Sequence, residues 1–488
     1  MRGLRLAGVL GFIVLLATAS PVGAVTTRFS DGTAGAGLPT AARTSWGSTI
    51  ADVNGDGWPD ILLNRHTQPP ALFFGSPTGF VEDTDITWPF PMDRHNCAWG
   101  EANGDGRPDL LCAQGAYGGG GEGPNELWLN LPGPTGFVES ADALGVSQAL
   151  SRGRTATWID YDSDGDLDVF FGSAPRVGYG DVMFRNDGGT FVQTTVGIES
   201  ERDTESATWA DWDGNGYPDL LLTSILNHTV AFTNSGGTFS PVTIAALGSR
   251  NWYGSAWADI NGDGRPDLAV IDPHVVRILR NDGGTFTTIK SVSLAYGRGL
   301  AWADLNNDGR LDLYVVRTAL SEDPGPHGDT RDALLMATAT GGFSLVKPAE
   351  VTGWAGSGDG VSVLDFDHDL RMDLMVTNGR ARWPGAPMLL HNKFATKKAA
   401  AIRLRGPAWN PLGMGAVVQL STASFSYQRE LNDGVSWNGQ SDVSYVHLGL
   451  RGQTAGNAII TWPDGTRDCV SVSAGAIVEL EIGTSPCS

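Results

Sequence analysis

The chain has 488 residues and carries 54 Asp plus Glu against 33 Lys plus Arg, a formal net charge of −21. Such a balance repels a phosphate backbone and excludes nucleic acid as the natural partner. The length exceeds one compact core and fits one large repeat domain plus a smaller one, while 66 glycines and few helical periodicities point to strands and turns.

Residues 1–24 read as a secretory leader. Arg2 and Arg5 supply positive charge, Leu6 to Ala19 form an apolar run, and Val22-Gly23-Ala24 is a small-residue cleavage site. The run is too short to span a bilayer, and no later segment is apolar enough to insert in one. No Cys follows the cleavage site to carry a lipid. The expected mature protein is exported: extracellular, periplasmic or at the cell surface.

From Asp52 onward one nonapeptide recurs, Asp-x-(Asn/Asp)-x-Asp-Gly-x-x-Asp followed by an apolar run. The copies are DVNGDGWPD (Asp52–Asp60), EANGDGRPD (Glu101–Asp109), DYDSDGDLD (Asp160–Asp168), DWDGNGYPD (Asp211–Asp219), DINGDGRPD (Asp259–Asp267), DLNNDGRLD (Asp304–Asp312) and DFDHDLRMD (Asp365–Asp373). They start 49, 59, 51, 48, 45 and 61 residues apart, a period that predicts a propeller or a solenoid.

Oxygen donors at positions 1, 3, 5 and 9, a main-chain carbonyl at position 7 and a Gly at position 6 suit calcium. The expected ligands of loops one to three are Asp52, Asn54, Asp56, Trp58 and Asp60; Glu101, Asn103, Asp105, Arg107 and Asp109; and Asp160, Asp162, Asp164, Asp166 and Asp168. In loops four to six they are Asp211, Asp213, Asn215, Tyr217 and Asp219; Asp259, Asn261, Asp263, Arg265 and Asp267; and Asp304, Asn306, Asp308, Arg310 and Asp312. Loop seven offers Asp365, Asp367, Asp369 and Asp373. The position-7 residues enter through their carbonyls. About six to seven structural calcium sites are expected.

An EF-hand would need Glu at position 12 and a following helix. Position 12 is instead Leu63, Cys112, Phe171, Leu222, Val270, Val315 or Val376, in strand-like runs. Metal-free Asx turns use the same residue types, but three or more carboxylates in one turn repel each other without a cation. Twenty-three acidic residues lie at positions 1, 3, 5 and 9, and without them 31 acidic residues face 33 basic ones. The acidity of the protein is the acidity of its loops. Loop two begins with the longer Glu101. Loop seven has Leu370 where the others have Gly, which predicts a strained backbone or a different path.

A Trp stands two residues before the first ligand in five repeats: Trp99, Trp158, Trp209, Trp257 and Trp302; Ile50 and Val363 replace it in the other two. A large apolar side chain at one fixed register is expected to pack between neighbouring units. The fifth unit reads strand SAWADI, turn NGDGRP, strand DLAVID, turn PH, strand VVRILR, turn NDGG and strand TFTTIK. Asn-Asp-Gly-Gly favours a hairpin. Each unit is therefore expected to be a four-stranded meander, and the ring an all-β propeller of seven such blades. A Phe opens the strand ahead of every loop, from Phe29 to Phe343, yet the last unit lacks a fourth strand of its own. The segment at Phe29 is expected to supply it and close the ring.

These units resemble the FG-GAP/VCBS repeats of integrin α-type propellers, in which a calcium loop joins the first two strands of a blade. The resemblance covers about residues 27–392, within an expected propeller domain of 25–395. The remainder, 396–488, changes character. NPLGMGAVVQL, YQRELNDGVSWNGQSD, VHLGL and IITWPDG resemble the ASPIC/UnbV domain that follows such repeats in the cartilage acidic protein family and its bacterial relatives. Leu448 departs from the usual Phe there, as does Val-Ser-Trp near Gly434. Alternating apolar residues in AVVQL and AIVELEI predict a small β-sandwich. Arg429, Asp433 and His447 are expected to be surface or cross-strand residues.

Four Cys in an exported chain imply two disulfides. A hairpin centred on Asp105 sets position 97 opposite 113, so Cys97 should meet Cys112, leaving Cys469 for Cys487. No HExxH, GxSxG or phosphate loop is present. Arg380, Arg382 and Trp383 lie in a turn on the face opposite the loops and are the candidate ligand patch. The expected function is extracellular recognition or adhesion by a monomer, with protein or glycan as partner and calcium structural. The alternative is an enzyme (polysaccharide lyase, hydrolase or cyclase) with its site on that opposite face.

Overall fold

Each nonapeptide joins the first two strands of an antiparallel meander. The computed structural model describes residues 28–487 except 44, 66–67, 89–92, 116–122, 134–135, 149–151, 175–179, 200–202, 227–228, 319–331, 347–357, 380–384, 395–397 and 432–438. The expected leader, Asp433, Gly434 and the patch Arg380, Arg382 and Trp383 lie outside the described residues. In the fifth unit the strands are Gly254–Ala258, Asp267–Ile271, Val275–Asn281 and Phe286–Ser293, paired in that order. Among the described residues, seven sheets follow this plan.

Their first strands are Ser45–Ala51, Arg94–Gly100, Gly153–Ile159, Ser206–Ala210, Gly254–Ala258, Gly297–Ala303 and Gly358–Leu364. Each packs against the next, and the last packs against the first. First strands therefore surround an axis, the arrangement of a β-propeller. Phe29–Asp31 pairs antiparallel with Met388–Asn392, Phe29 opposite Asn392, so the final sheet is completed by the opposite end of the chain. That pairing removes an exposed edge.

The repeated Trp residues tie neighbouring sheets together. Trp158 Nε1 donates to the Ala98 carbonyl (3.1 Å), Trp209 to Thr157 Oγ1 (2.9 Å), Trp257 to Thr208 Oγ1 (3.1 Å) and Trp302 to the Ala256 carbonyl (3.2 Å). Each indole also packs against the Phe opening its own fourth strand, as in Trp158–Phe191 and Trp257–Phe286. Gly100 is the small residue that admits the Trp158 ring, which an added Cβ would overlap. These rings serve the core.

Both disulfides, Cys97–Cys112 and Cys469–Cys487, are formed. The register differs by one residue from the hairpin estimate. Asp109 stands opposite Gly100, which puts Cys97 directly opposite Cys112 and Asn96 opposite Ala113.

Beyond the repeats, Ala399–Arg405 pairs with Tyr445–Gly449 and Ile477–Glu481 in one sheet. Val417–Ser421, Ser426–Glu430, Ala455–Thr461 and Arg467–Ser473 form a second. Ile402, Leu448 and Leu480 from the first meet Val418, Leu420 and Ile460 from the second in one core. One segment of this unit leaves it. Gly439–Gln440 runs parallel to Ser48–Thr49 as a fifth strand on the first sheet. Ser441 Oγ accepts the Val363 N–H (3.0 Å), and the Asp442 N–H reaches the Val363 carbonyl (3.2 Å). The segment thus bridges the first and last sheets, where the ring closes.

Candidate functional site

The loops are held by their own carboxylates. The position-1 side chain turns back and gathers N–H groups: Asp52 accepts from Asp56 (3.0 Å) and Gly57 (2.9 Å), and Asp304 from Asp308 (2.9 Å) and Gly309 (2.6 Å). Position 9 uses both oxygens. Asp267 accepts the N–H of Ile260 (3.1 Å) at position 2 and of Asn281 (2.7 Å) at the end of the third strand. The same pair of bonds occurs at Asp60, Asp109, Asp168, Asp219, Asp312 and Asp373.

Position 4 is left-handed as well as position 6. Ser163, Asn307 and His368 occupy position 4 with φ of 61°, 58° and 55° in loops that lack Gly there. Leu370 takes the strained of its two expected courses, at φ 63°, and its N–H still reaches Asp365 Oδ2 at 2.9 Å. Its side chain is buried in the cluster that contains Val363, Met372 and Tyr445, which offsets a left-handed cost of about 1–2 kcal/mol.

Carboxylate oxygens converge in three loops. Asp160, Asp162 and Asp168, then Asp211, Asp213 and Asp219, and then Asp365, Asp367 and Asp373 each offer oxygens within 4.8 Å of one another. Burial, reinforced by neighbouring carboxylates, pushes the position-9 carboxyls up despite their N–H bonds. Asp60 and Asp109 rise to about 8, Asp168 to about 9, and Asp219 and Asp267 to about 7, while Asp312 and Asp373 stand well above the usual range. Asp162 Oδ1 and Asn306 Oδ1, both at position 3, are buried with no hydrogen-bond partner. Buried acceptors and crowded carboxylates are what a hard cation satisfies. The donor set fits calcium.

Position 7 has a side-chain role that the carbonyl pattern did not reveal. Arg265 pairs with Asp263 at 2.5 Å, and Arg107, Arg310 and Arg371 pair with Asp105, Asp308 and Asp369 in the same way. In loop seven His391 also approaches Asp367 (3.2 Å) and Asp369 (3.7 Å).

The Asn of the Asn-Asp-Gly-Gly turns does more than favour a hairpin. Asn281 Nδ2 donates to the Trp212 carbonyl (2.8 Å) in the preceding loop and to the Pro266 carbonyl (3.2 Å), while Oδ1 accepts from Gly284 (2.8 Å). Asn130, Asn234 and Asn392 likewise reach Val53, Tyr161 and Leu305. The recurrence was visible in sequence; the inter-sheet partner was not. Asn281→Ala is expected to lower stability by about 2–3 kcal/mol in urea unfolding, since buried acceptors lose their donor. A loss within about 0.5 kcal/mol, ordinary for a surface substitution, would show the clamp to be idle.

The second unit sits on the loops. Tyr445 Oη donates to Asp365 Oδ2 (2.7 Å), Arg451 Nε to the Asp308 carbonyl (2.7 Å) and Arg429 Nη2 to the Gly309 carbonyl (3.3 Å). His447 Nε2 lies 3.2 Å from the Leu370 carbonyl, and Arg403 lies 3.9 Å from Asp52. Arg429 and His447 stand opposite Val418 and Ala401 as cross-strand residues, as expected, and their side chains in addition contact the loops, which the surface reading did not foresee. The reason is tertiary: they occupy the side of the sandwich applied to loops six and seven.

At the other end of the axis lies a second constellation. Six residues before each first ligand stand Trp46, His95, Arg154, Glu205, Tyr253, Arg298 and Asp359, one per sheet. Neighbours touch across sheet boundaries. Trp46 and His95 have ring centroids 4.6 Å apart, and Arg154 Nη1 is 2.7 Å from His95 Nδ1 and 3.9 Å separates Arg154 from Glu205. Arg298 lies 5.6 Å over the Tyr253 ring and 3.9 Å from Asp359. Asp93 reaches His95 Nε2 at 3.2 Å. No motif search finds this belt, because its members share a register and not a residue type.

Four segments, 101–171, 160–222, 223–270 and 259–315, match the FG-GAP-like repeat family model. Together with the sheet order, they define a β-propeller carrying FG-GAP-like repeats. Solved structures with a similar course include BBS1N in complex with ARL6DN, at 10% identity and TM-score 0.49, covering 76% of this chain and 99% of that one. An ancestral GH74 enzyme is similar at 14% identity and TM-score 0.49, over 73% of this chain and 49% of its own. A lectin from Burkholderia pseudomallei is similar at 11% identity and TM-score 0.46, over 69% of this chain and 94% of its own. No curated protein matches the sequence.

Proposed function

We propose that the chain is a secreted, calcium-stabilised, seven-bladed propeller of the integrin α-like kind with an ASPIC/UnbV-like second domain, acting as a monomer in extracellular recognition or adhesion. The leader reading and the two disulfides support export. Asp52, Asp160, Asp211 and Asp304 would hold calcium with their loop partners, and the bound cation would neutralise carboxylates that otherwise repel. Because the second domain covers the loops, the recognition surface falls at the opposite end of the axis.

The observation that carries this reading is the register six residues before each loop. A position kept for packing repeats its residue, as the Trp two residues before the loop does in five of seven units. The belt instead mixes two aromatics, two arginines, two carboxylates and a histidine; His95, Arg154, Arg298 and Asp359 are buried and Trp46, Glu205 and Tyr253 half-buried, a polar composition unlike a repeated core layer. One detail favours the alternative of an enzyme at the same place: His95 held between Asp93 and Arg154 is an oriented imidazole.

Glycan and matrix-protein arrays probed with wild type and with Trp46→Ala and Tyr253→Ala test the proposal. Binding of one class, weakened roughly tenfold or more by either variant, is expected. Binding indifferent to both variants would overturn the axial assignment. Turnover of a bound polysaccharide that disappears in His95→Ala would move the protein to the enzyme class.

A further inference from the structure

We propose that the crevice between the second domain and loops five and six is a binding site for an oxyanion, a sulfate or carboxylate group on a ligand no larger than one or two sugar units. The crevice has a volume of about 360 Å³, within the range of small-ligand pockets, and lies at the kind of inter-domain junction where such pockets concentrate. Four arginines from four separate elements line it: Arg280, Arg310, Arg429 and Arg451. In a chain of net charge −21 such convergence is against the average, and like charges brought together raise the energy of the fold unless an anion lies between them.

Local carboxylates offset part of that charge, but among the described residues Asp259 is the one acidic side chain on the crevice wall. Asp259, the acidic residue on the wall, spends its oxygens on the N–H groups of Gly262 (2.7 Å) and Gly264 (2.9 Å) within its own loop. Arg280 pairs with Asp282 and Arg310 with Asp308, both outside the crevice lining. Arg429 donates to the carbonyls of Gln428 (3.0 Å) and Gly309 (3.3 Å), and Arg451 Nε to the carbonyl of Asp308 (2.7 Å). Their flat faces rest on aromatic rings, Arg429 at 4.3 Å from the Tyr427 centroid and Arg451 at 4.3 Å from that of Phe425. Stacking fixes each guanidinium plane, and the N–H groups not spent on those carbonyls remain for a planar or tetrahedral oxyanion. Arg310 Nε is buried without a hydrogen-bond partner. Ser426 and Thr338 add hydroxyls to the wall. The site is separate from the axial belt and does not depend on it.

The test is calorimetric titration of the calcium-replete full chain at low ionic strength with inorganic sulfate, galactose 6-sulfate, galacturonate and neutral galactose. At least one anion is expected to bind saturably while galactose does not, and the preferred anion distinguishes sulfate from carboxylate. Arg280→Gln, whose side chain is 44% exposed and whose loss leaves the fold intact, is expected to weaken binding roughly tenfold, as is Arg429→Gln. Trp46→Ala is expected to leave the titration unchanged, so that failure of the axial reading and failure of this one are distinguishable. Absence of saturable anion binding, equal binding of galactose, or an unaltered affinity in Arg280→Gln would each overturn the proposal.

Discussion

Withdrawing calcium with EDTA is expected to lower the melting temperature by roughly ten degrees or more, and adding calcium is expected to restore it. Extracellular loops of this kind bind with dissociation constants on the order of 0.1–1 mM. At a tenfold excess over the dissociation constant each site contributes about 1.4 kcal/mol, so that six or seven sites reach on the order of 8–10 kcal/mol. A differential of that size shifts the midpoint of a large domain by such an amount. The pH dependence follows from the position-9 carboxyls. Their folded-state values, about 7 to 9 at Asp60, Asp109, Asp168, Asp219 and Asp267, lie above the ordinary 3.8. Between those limits the metal-free native state holds more protons than the unfolded chain, so its stability falls as pH rises from about 4 towards 8. Bound calcium would hold the same groups ionised and reverse that trend. The interval between the two melting curves should therefore be narrow at pH 5 and wide at pH 8. Identical melts with and without calcium at both pH values would remove the metal from the description. A calcium shift independent of pH would remove its electrostatic cause.

The second large effect is expected at Gln440, a residue of the small domain buried in the ring. Its Oε1 accepts from Thr49 Oγ1 (2.5 Å) and from the Trp99 N–H (2.7 Å), and its Nε2 donates to the Trp99 carbonyl (3.0 Å). One side chain therefore satisfies both main-chain groups of a residue in the second sheet while its backbone pairs with the first. Leucine matches the bulk and none of the bonds. Gln440→Leu leaves a buried N–H and a buried carbonyl unsatisfied, at about 1–3 kcal/mol each, and an overall loss of about 3–5 kcal/mol is expected in urea unfolding. The unfolding curve should also broaden or split, because the variant weakens the joint between ring and sandwich and with it their shared transition. A single transition displaced by under 1 kcal/mol would show that the segment only rests against the ring.

Much of this architecture was legible in the chain, for a local reason. A loop such as DINGDGRPD, the strand before it and the Asn-Asp-Gly-Gly turn after it each declare their conformation within a few residues, and repetition multiplies the signal. Closure by Phe29 was readable too, since a missing strand in one repeated unit is a gap with a known shape. Loop seven marks the boundary of such reasoning. Leu370 breaks the local rule, and only the packing around it, with Tyr445 from another domain, explains why the turn is still made.

By itself the sequence determined the seven loops, their carboxylate pattern, the four-stranded meanders, the disulfide partners and the order of the two units. The tertiary structure alone decided which face the small domain covers. It also decided that Gln440 plugs the join between sheets, that Asn281 clamps one loop to the next, and that Trp46, His95 and Arg154 stand side by side. Turn and strand preferences act between near neighbours and leave a repeated trace. The bond between Tyr445 and Asp365 joins residues 80 positions apart, and a contact of that kind is set by complementary surfaces that exist only once both domains have folded.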